Sequence, residues 1–292
     1  MPKNSQTTAL ILGISTFVMW GVFPIYFKML EHASALEVLA HRIIWSVVFL
    51  LIFIKYKNRI RTLQEIFHNK KTLKTLFITG LFIASNWGIY IYAVNSDQIL
   101  ESGLGYFINP LFSMLLGAIF LKERLNLAGK ISVFLVFIAI AIQIYSLGKL
   151  PFISIILPAS FAIYGLLKKK LAVPSMEGLF VETMLLFPFA LLYGLFLCGS
   201  GSGEFGLNRL APIFIFSGIV TVLPLITFNL AAQKLSLSTL GFMQYISPTM
   251  QILIAVFMYG ENLDFYKIIS FIIIWIGIAI VSIDNLKGAK NG

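Results

Sequence analysis

LEVLAHRIIWSVVFLLIF, residues 36–53, is long and apolar enough to cross a bilayer, yet it carries His41 and Arg42. A crossing needs about 20 mostly apolar residues, and a charged side chain at mid-membrane costs about 2.5–3.5 kcal/mol even on lenient insertion scales. An arginine kept there is a functional suspect by default. The chain around it has the same character: 292 residues, 59% hydrophobic and 12% charged, more apolar surface than a soluble chain of this length can hide. It reads as an all-α integral membrane protein with the lipid bilayer as its first partner.

Hydropathy divides the chain into ten spans, at 8–29, 35–54, 73–95, 100–121, 127–147, 151–168, 177–198, 211–232, 236–259 and 265–284. The N-terminal run is too long for a signal-peptide core and lacks a small-residue cleavage site, so it is expected to stay as the first helix. With a cytoplasmic N-terminus, seventeen Lys and Arg fall in inner loops and tails, including Lys3, Lys287 and Lys290, while only Lys28, Lys149, Arg209 and Lys267 lie outside. That bias satisfies the positive-inside rule and places both termini in the cytoplasm. Membrane orientation, not nucleic acid, therefore explains the net charge of +10. The one cysteine, Cys198, excludes an intrachain disulfide, and three scattered histidines offer no metal-ligand spacing. No cofactor or metal is expected. The chain has no G-x-x-x-x-G-K-[ST] loop, which disfavours an ATP-driven pump unless a separate subunit supplies the motor.

Self-comparison divides the chain in two. Residues 93–145 align without a gap to 231–283, with 13 identities in 53 that include Gly103, Pro110 and Glu123, where biased composition gives roughly 5 or 6. FVMWG (17–21) matches FAIYG (161–165), and LEVL (36–39) matches MEGL (176–179). The expectation is two five-helix repeats, 1–147 and 148–292. Five is odd, so the second repeat enters the membrane from the opposite side. Inverted repeats of this kind are common in secondary transporters, with substrate held near the midplane between them.

The stretches MWGVFPIYFKML, EVLAHRIIWS, SNWGIYIYAVN, ESGLGYFINPL, LKERL, SFAIYGLLKKK and GFMQYISPTMQ together resemble the RarD group of the drug/metabolite transporter superfamily, whose domains are called EamA. The resemblance covers essentially all ten spans. It implies ten helices, cytoplasmic termini in the cell membrane, and permease activity on a small metabolite or drug, often export. It leaves the solute open, and chloramphenicol enters only through its association with the RarD name.

Several residues are candidates for the transport site. Glu182 is equivalent to Arg42 at an offset of 140, and the two are the deep acid and deep base of the spans. They are expected to pair near the centre, a gain of roughly 4 kcal/mol at about 4 Å and an effective dielectric near 20. The alternatives are that Arg42 meets an anionic group of the substrate, or that it snorkels outward as an anchor. Trp45 and Phe49 share its helix face, where an aromatic ring can stack on a cation. His41 points elsewhere, as a hydrogen-bonded interhelical residue. Tyr106, Asn109 and Ser113 form one polar stripe, and their counterparts Gln244, Ser247 and Gln251 form another. Such faces must meet protein, water or solute, and interhelical bonding is the competing role. Pro110 and Pro248 at matching places predict interrupted helices, and Pro24, Pro158, Pro188 and Pro224 hinges or packing kinks. Trp20, Asn86 and Tyr90 are read as cavity lining. Glu182 is also a candidate proton acceptor for coupled exchange. Glu123 and Glu261 sit before Asn126 and Asp264, which are read as N-caps.

The competing functions are a channel or scaffold and, less favoured, an intramembrane enzyme. The spans contain no H-E-x-x-H, no G-x-S-x-G and no second deep carboxylate, so an enzyme is not expected. A small-molecule substrate is the expected partner, with a second copy of the chain left open.

Overall fold

The structure, a computed structural model, describes residues 3–122, 125–169, 171–235, 239–240 and 243–290, with side chains within 7–284. Among these residues the regular elements are all helices: α1 (Lys3–Gly21), α2 (Phe23–Lys28), α3 (Ala35–Tyr56), α4 (Ile60–His68), α5 (Lys70–Asn95), α6 (Ile99–Phe120), α7 (Leu127–Leu147), α8 (Phe152–Lys169), α9 (Ser175–Ser200), α10 (Ala211–Ala232), α11 (Ile246–Phe257) and α12 (Phe265–Lys290). Among the described residues nine stretches are long and apolar enough to cross a membrane, counting α1 and α2 together. The ninth expected span is helical at residues 239–240 and 243, turns at 244–245 and continues as the twelve-residue α11, and residues 236–238 and 241–242 of its first half lie outside the described residues. So do Glu123, Arg124 and Lys170.

Local chemistry sets the helix ends. Asn69, Asn126 and Asp264 accept the backbone N–H groups of Thr72 (3.0 Å), Gly129 (2.8 Å) and Lys267 (2.9 Å), as N-caps do. Pro24 removes a donor and breaks the first span at Val22, giving α1 and α2. Pro110, Pro158, Pro188 and Pro224 lie inside continuous helices, so the expected interruption at Pro110 is absent. Pro248 falls in the first turn of α11, where a missing N–H costs little. The short helix α4 was hidden within a basic loop. Its Leu63 and Ile66 pack with Leu76, Leu179 and Phe180, while Arg61 and Glu65 stay exposed.

The helices pack across the two halves, each contact with a counterpart. α6 packs on α8 as α11 does on α1, α3 on α10 as α9 does on α5, and α1 on α10 as α8 does on α5. α7 and α12 exchange reciprocal bonds: Ser132 Oγ donates to the Gly277 carbonyl at 2.7 Å, and Ser270 Oγ to the Ala139 carbonyl at 3.2 Å. Both donors and both acceptors are 138 positions apart, and the rising number on one helix meets the falling number on the other. The pair is therefore antiparallel about a local two-fold.

Gly80 and Gly218, also 138 apart, mark the closest helix approaches. A Cβ on Gly80 would lie 3.2 Å from the Glu182 carbonyl oxygen of α9, and one on Gly218 would lie 2.6 Å from the Trp45 carbonyl of α3. Backbone cannot yield as a flexible side chain does, so Gly218→Ala should lower the thermal midpoint of the detergent-solubilised protein, at a cost of about 1–3 kcal/mol. Gly165→Ala, whose Cβ would meet nothing within 4 Å, should leave it unchanged. Equal midpoints for the two variants would contradict this packing.

Candidate functional site

α3 carries Arg42 into the protein, where it is only 4% exposed. Its Nε–H donates to Thr221 Oγ1 of α10 at 2.8 Å, and the Thr221 hydroxyl donates in turn to the Ser217 carbonyl at 2.9 Å, leaving a lone pair for the guanidinium. The Trp87 ring of α5 lies 4.1 Å from Arg42 Cζ, with the rings of Phe27 and Phe23 on α2 at 5.5 and 5.7 Å. Tyr90 is 2% exposed and packs edge-on between Phe27 and Tyr106, at 5.9 and 5.6 Å, and its hydroxyl has no hydrogen-bond partner among the described residues. Arg42 is thus an interior cation in an aromatic surround and does not snorkel. A desolvated cation–π contact gives about 2 kcal/mol and a hydrogen bond from a charged donor about 1.5–3, together enough to offset a 2.5–3.5 kcal/mol insertion cost.

The expected Arg42–Glu182 pair is not formed. Glu182 is fully buried, and its Oε1 accepts from Thr79 Oγ1 of α5 at 2.6 Å and from Lys168 Nζ of α8 at 2.9 Å, while Tyr164 Oη donates to Oε2 at 3.3 Å. Each charge sits seven residues beyond the start of its own helix, and α3 and α9 run antiparallel. Glu37 at the start of α3 meets residues 204–205 beyond the end of α9, and Arg59 beyond the end of α3 meets Glu177 near the start of α9. At 1.5 Å per residue this register keeps the two charges on the order of 15 Å apart along the bundle. Equivalent positions can meet in an inverted duplex only at the helix centre. Their equivalence survives in another form, because each takes a threonine from the corresponding neighbour, Thr221 of α10 for Arg42 and Thr79 of α5 for Glu182.

Other candidates divide between the aromatic cluster and interhelical bonding. Trp45 does not reach the guanidinium; its backbone faces Gly218 and its indole N–H is buried without a partner among the described residues. Trp87 takes the stacking role. Asn86 is 1% exposed and donates to the Leu157 carbonyl at 2.9 Å and to Ser160 Oγ at 3.0 Å, tying α5 to α8. Gln251 donates to the Trp20 carbonyl at 3.2 Å and to Ser247 Oγ at 3.3 Å. Pro24 has no N–H to return to Trp20 four residues earlier, so Gln251 takes the carbonyl it frees. Trp20 meets Phe17 edge-on and Phe228 at a tilt, at 5.4 and 5.8 Å, and not the Arg42 guanidinium. Asn109 and Gln244 are half-buried and Ser113 is exposed. His41 stacks on Phe205 and Phe214, at 4.2 and 4.7 Å, and its Nδ1 lacks the expected hydrogen bond. Missed in the sequence were Thr221, Thr79 and Lys168, together with Phe23 and Phe27. The basic run at 168–170 hides Lys168, which passes over Gly178, where a Cβ would lie 2.6 Å from Nζ.

The ends of the α3–α9 pair are closed unequally. Glu37 Oε1 accepts the backbone N–H groups of Glu204 at 2.7 Å and Phe205 at 2.9 Å, whereas its counterpart Glu177 meets Arg59 Nη1 at the longer distance of 3.7 Å. Across the rim, Glu261 accepts the N–H groups of Ile99 and Leu100 at the start of α6, at 2.6 and 2.8 Å. Burial pushes that carboxyl up from its ordinary range, against the pull of the two N–H groups.

The chain matches the EamA-like transporter family twice, over residues 7–145 and 150–283. It belongs to that family. An uncharacterised transporter of Vibrio cholerae is 42% identical to this EamA-like chain over 287 residues, covering 98% of it and 95% of the relative. Protein RarD of Escherichia coli is 38% identical over 288 residues, covering 98% and 97%. A solved crystal structure of a protein at 15% identity superposes with a TM-score of 0.61 over 95% of this chain and 97% of its own, a likeness of fold alone. The EamA-like chain is therefore a RarD-type multi-pass membrane transporter.

Its inner ion pair generates a prediction. Lys168→Met leaves the Glu182 carboxylate buried without a counter-charge and should destabilise the protein by about 3–5 kcal/mol. Adding Glu182→Gln should recover most of that loss in thermal unfolding; a double variant as unstable as the single one would show that the pairing is not the cause.

Proposed function

We propose that this transporter is a permease of the cytoplasmic membrane that moves a small solute by alternating access, exporting it from a cell whose cytoplasm holds both termini. The halves 1–147 and 148–292 act as inverted repeats, and the reciprocal α7–α12 serine bonds support that reading. Arg42 carries the proposal: an interior guanidinium among aromatic rings, with no carboxylate within 4 Å among the described residues, is an incomplete site that a passing solute completes. Tyr90, Tyr106 and Trp87 line it with Arg42. Trp20, Trp45, Asn86, Asn109, Gln244, Ser247 and Gln251 shape the bundle around it.

Alternating access needs two rims that close in turn. The firm Glu37 closure and the loose Glu177 contact at opposite ends of one antiparallel pair suit one member of such a cycle. Glu182 is the candidate coupling group: solute occupancy that draws Lys168 away would leave its carboxylate to take a proton. The name of one relative, the chloramphenicol-sensitive protein RarD of Pseudomonas aeruginosa, 24% identical over 282 residues, puts chloramphenicol among the compounds to test.

A counterflow screen in proteoliposomes with amino acids, their aromatic derivatives, nucleosides and chloramphenicol tests the function. Arg42→Ala is expected to reduce uptake of the transported compound at least tenfold while the protein remains folded and inserted; undiminished uptake would remove Arg42 from the site. Glu182→Gln is expected to abolish the pH dependence of uptake. Uptake that keeps its rate and pH profile in that variant would dismiss Glu182 as the coupling group.

A further inference from the structure

The geometry points to a solute of one chemical class for the Arg42 site: a monocarboxylate with an apolar or aromatic body and no ammonium group. This rests on the transporter reading above and deepens it.

Charge balance comes first. The guanidinium is one positive charge inside the protein, and its polar partner among the described residues is the neutral hydroxyl of Thr221, bonded through Nε. The terminal nitrogens carry the fork of donors that matches a carboxylate in the bidentate manner. The acids that a zwitterion's ammonium would need are committed elsewhere. Glu182 is held by Lys168, Thr79 and Tyr164, Glu37 by the N–H groups of residues 204 and 205, and Glu261 by those of residues 99 and 100, while Glu177, level with Arg59, lies further from Arg42 along the bundle than Glu182 does. A single anionic group neutralises the site; an amino acid would bring a second charge with nothing to receive it.

Hydrogen bonding and shape add two further constraints. The Tyr90 hydroxyl is buried without a partner among the described residues, and a buried polar group left unpaired is costly, so it is a donor waiting for an acceptor. Tyr90 and Arg42 flank the same Phe27 ring, at 5.9 Å from ring to ring and 5.5 Å from ring to guanidinium. A carboxylate has acceptor capacity for both. The surrounding surface of Phe23, Phe27, Trp87 and Tyr106 offers rings to the rest of the molecule and few polar atoms.

Binding, measured apart from transport, tests the inference. Purified full-length protein in detergent is titrated with benzoate, benzamide, phenylalanine and phenethylamine, using quenching of tryptophan fluorescence and the shift of the thermal midpoint. Benzoate is expected to bind at least tenfold more tightly than the other three. Arg42→Lys, which keeps the charge and loses the fork, and Tyr90→Phe, which loses only the hydroxyl, are each expected to weaken benzoate severalfold, and Tyr90→Phe to do so while leaving the unliganded midpoint near its original value. Phenylalanine or phenethylamine binding as tightly as benzoate would overturn the assignment, as would benzoate binding unaltered in both variants. The transporter reading fails separately, if benzoate binds as described but no solute crosses the bilayer in the counterflow assay.

Discussion

Hydrocarbon offers no hydrogen bonds, so each polar group the bundle carries into the membrane must find its partner within the protein. In this chain several of the deepest groups draw a partner from the opposite half. Arg42 finds Thr221, Glu182 finds Thr79 beside Lys168 and Tyr164 of its own half, Asn86 finds the Leu157 carbonyl, and Ser132 and Ser270 find carbonyls on each other's helices. Apolar packing between helices gains little in lipid, which is as apolar as leucine, and so the cross-half bonds and the close approaches at Gly80 and Gly218 specify which helix meets which.

The two deep charges are stabilised in different ways, and the difference assigns them different work. Glu182 has a counter-charge and two hydroxyls, a closed set that is complete without a ligand. Arg42 is made tolerable by quadrupoles and one neutral oxygen, which lower its cost without cancelling its charge. Its positive charge therefore stands without a counter-charge among the described residues, whereas the charge of Glu182 is matched by Lys168.

Much of the fold was legible because hydropathy and caps are local. The expected limits at 127–147 and 211–232 coincide with α7 and α10, and Asn126 and Asp264 cap as their residue types require. The equivalence of residues 42 and 182 was also legible, and it holds in the matching threonines. Their distance was not, because an offset between repeats fixes which residues correspond but leaves open the height at which antiparallel helices cross. Lys168 was obscure for a related reason: within a basic run at a helix end, only the gap left by Gly178 shows which lysine turns inward. Trp87 was visible as an aromatic beside Asn86, but its position over Arg42 depends on how α5 is rotated against α3. The helix α4 is too short and polar to register as a span, although Ile60, Leu63, Ile66 and Phe67 recur at helical spacing, and Leu63 and Ile66 of that face meet the bundle.

The break at Val22 gives the first membrane segment a joint. Beyond it, α2 is a six-residue lever bearing Phe23 and Phe27, and the Trp20 carbonyl just before the joint is gripped by Gln251 of α11. The break thus ties α11, through one hydrogen bond next to the joint, to the short helix that sets Phe23 and Phe27 around the guanidinium, and neither of the long helices α3 and α5 takes part in that link.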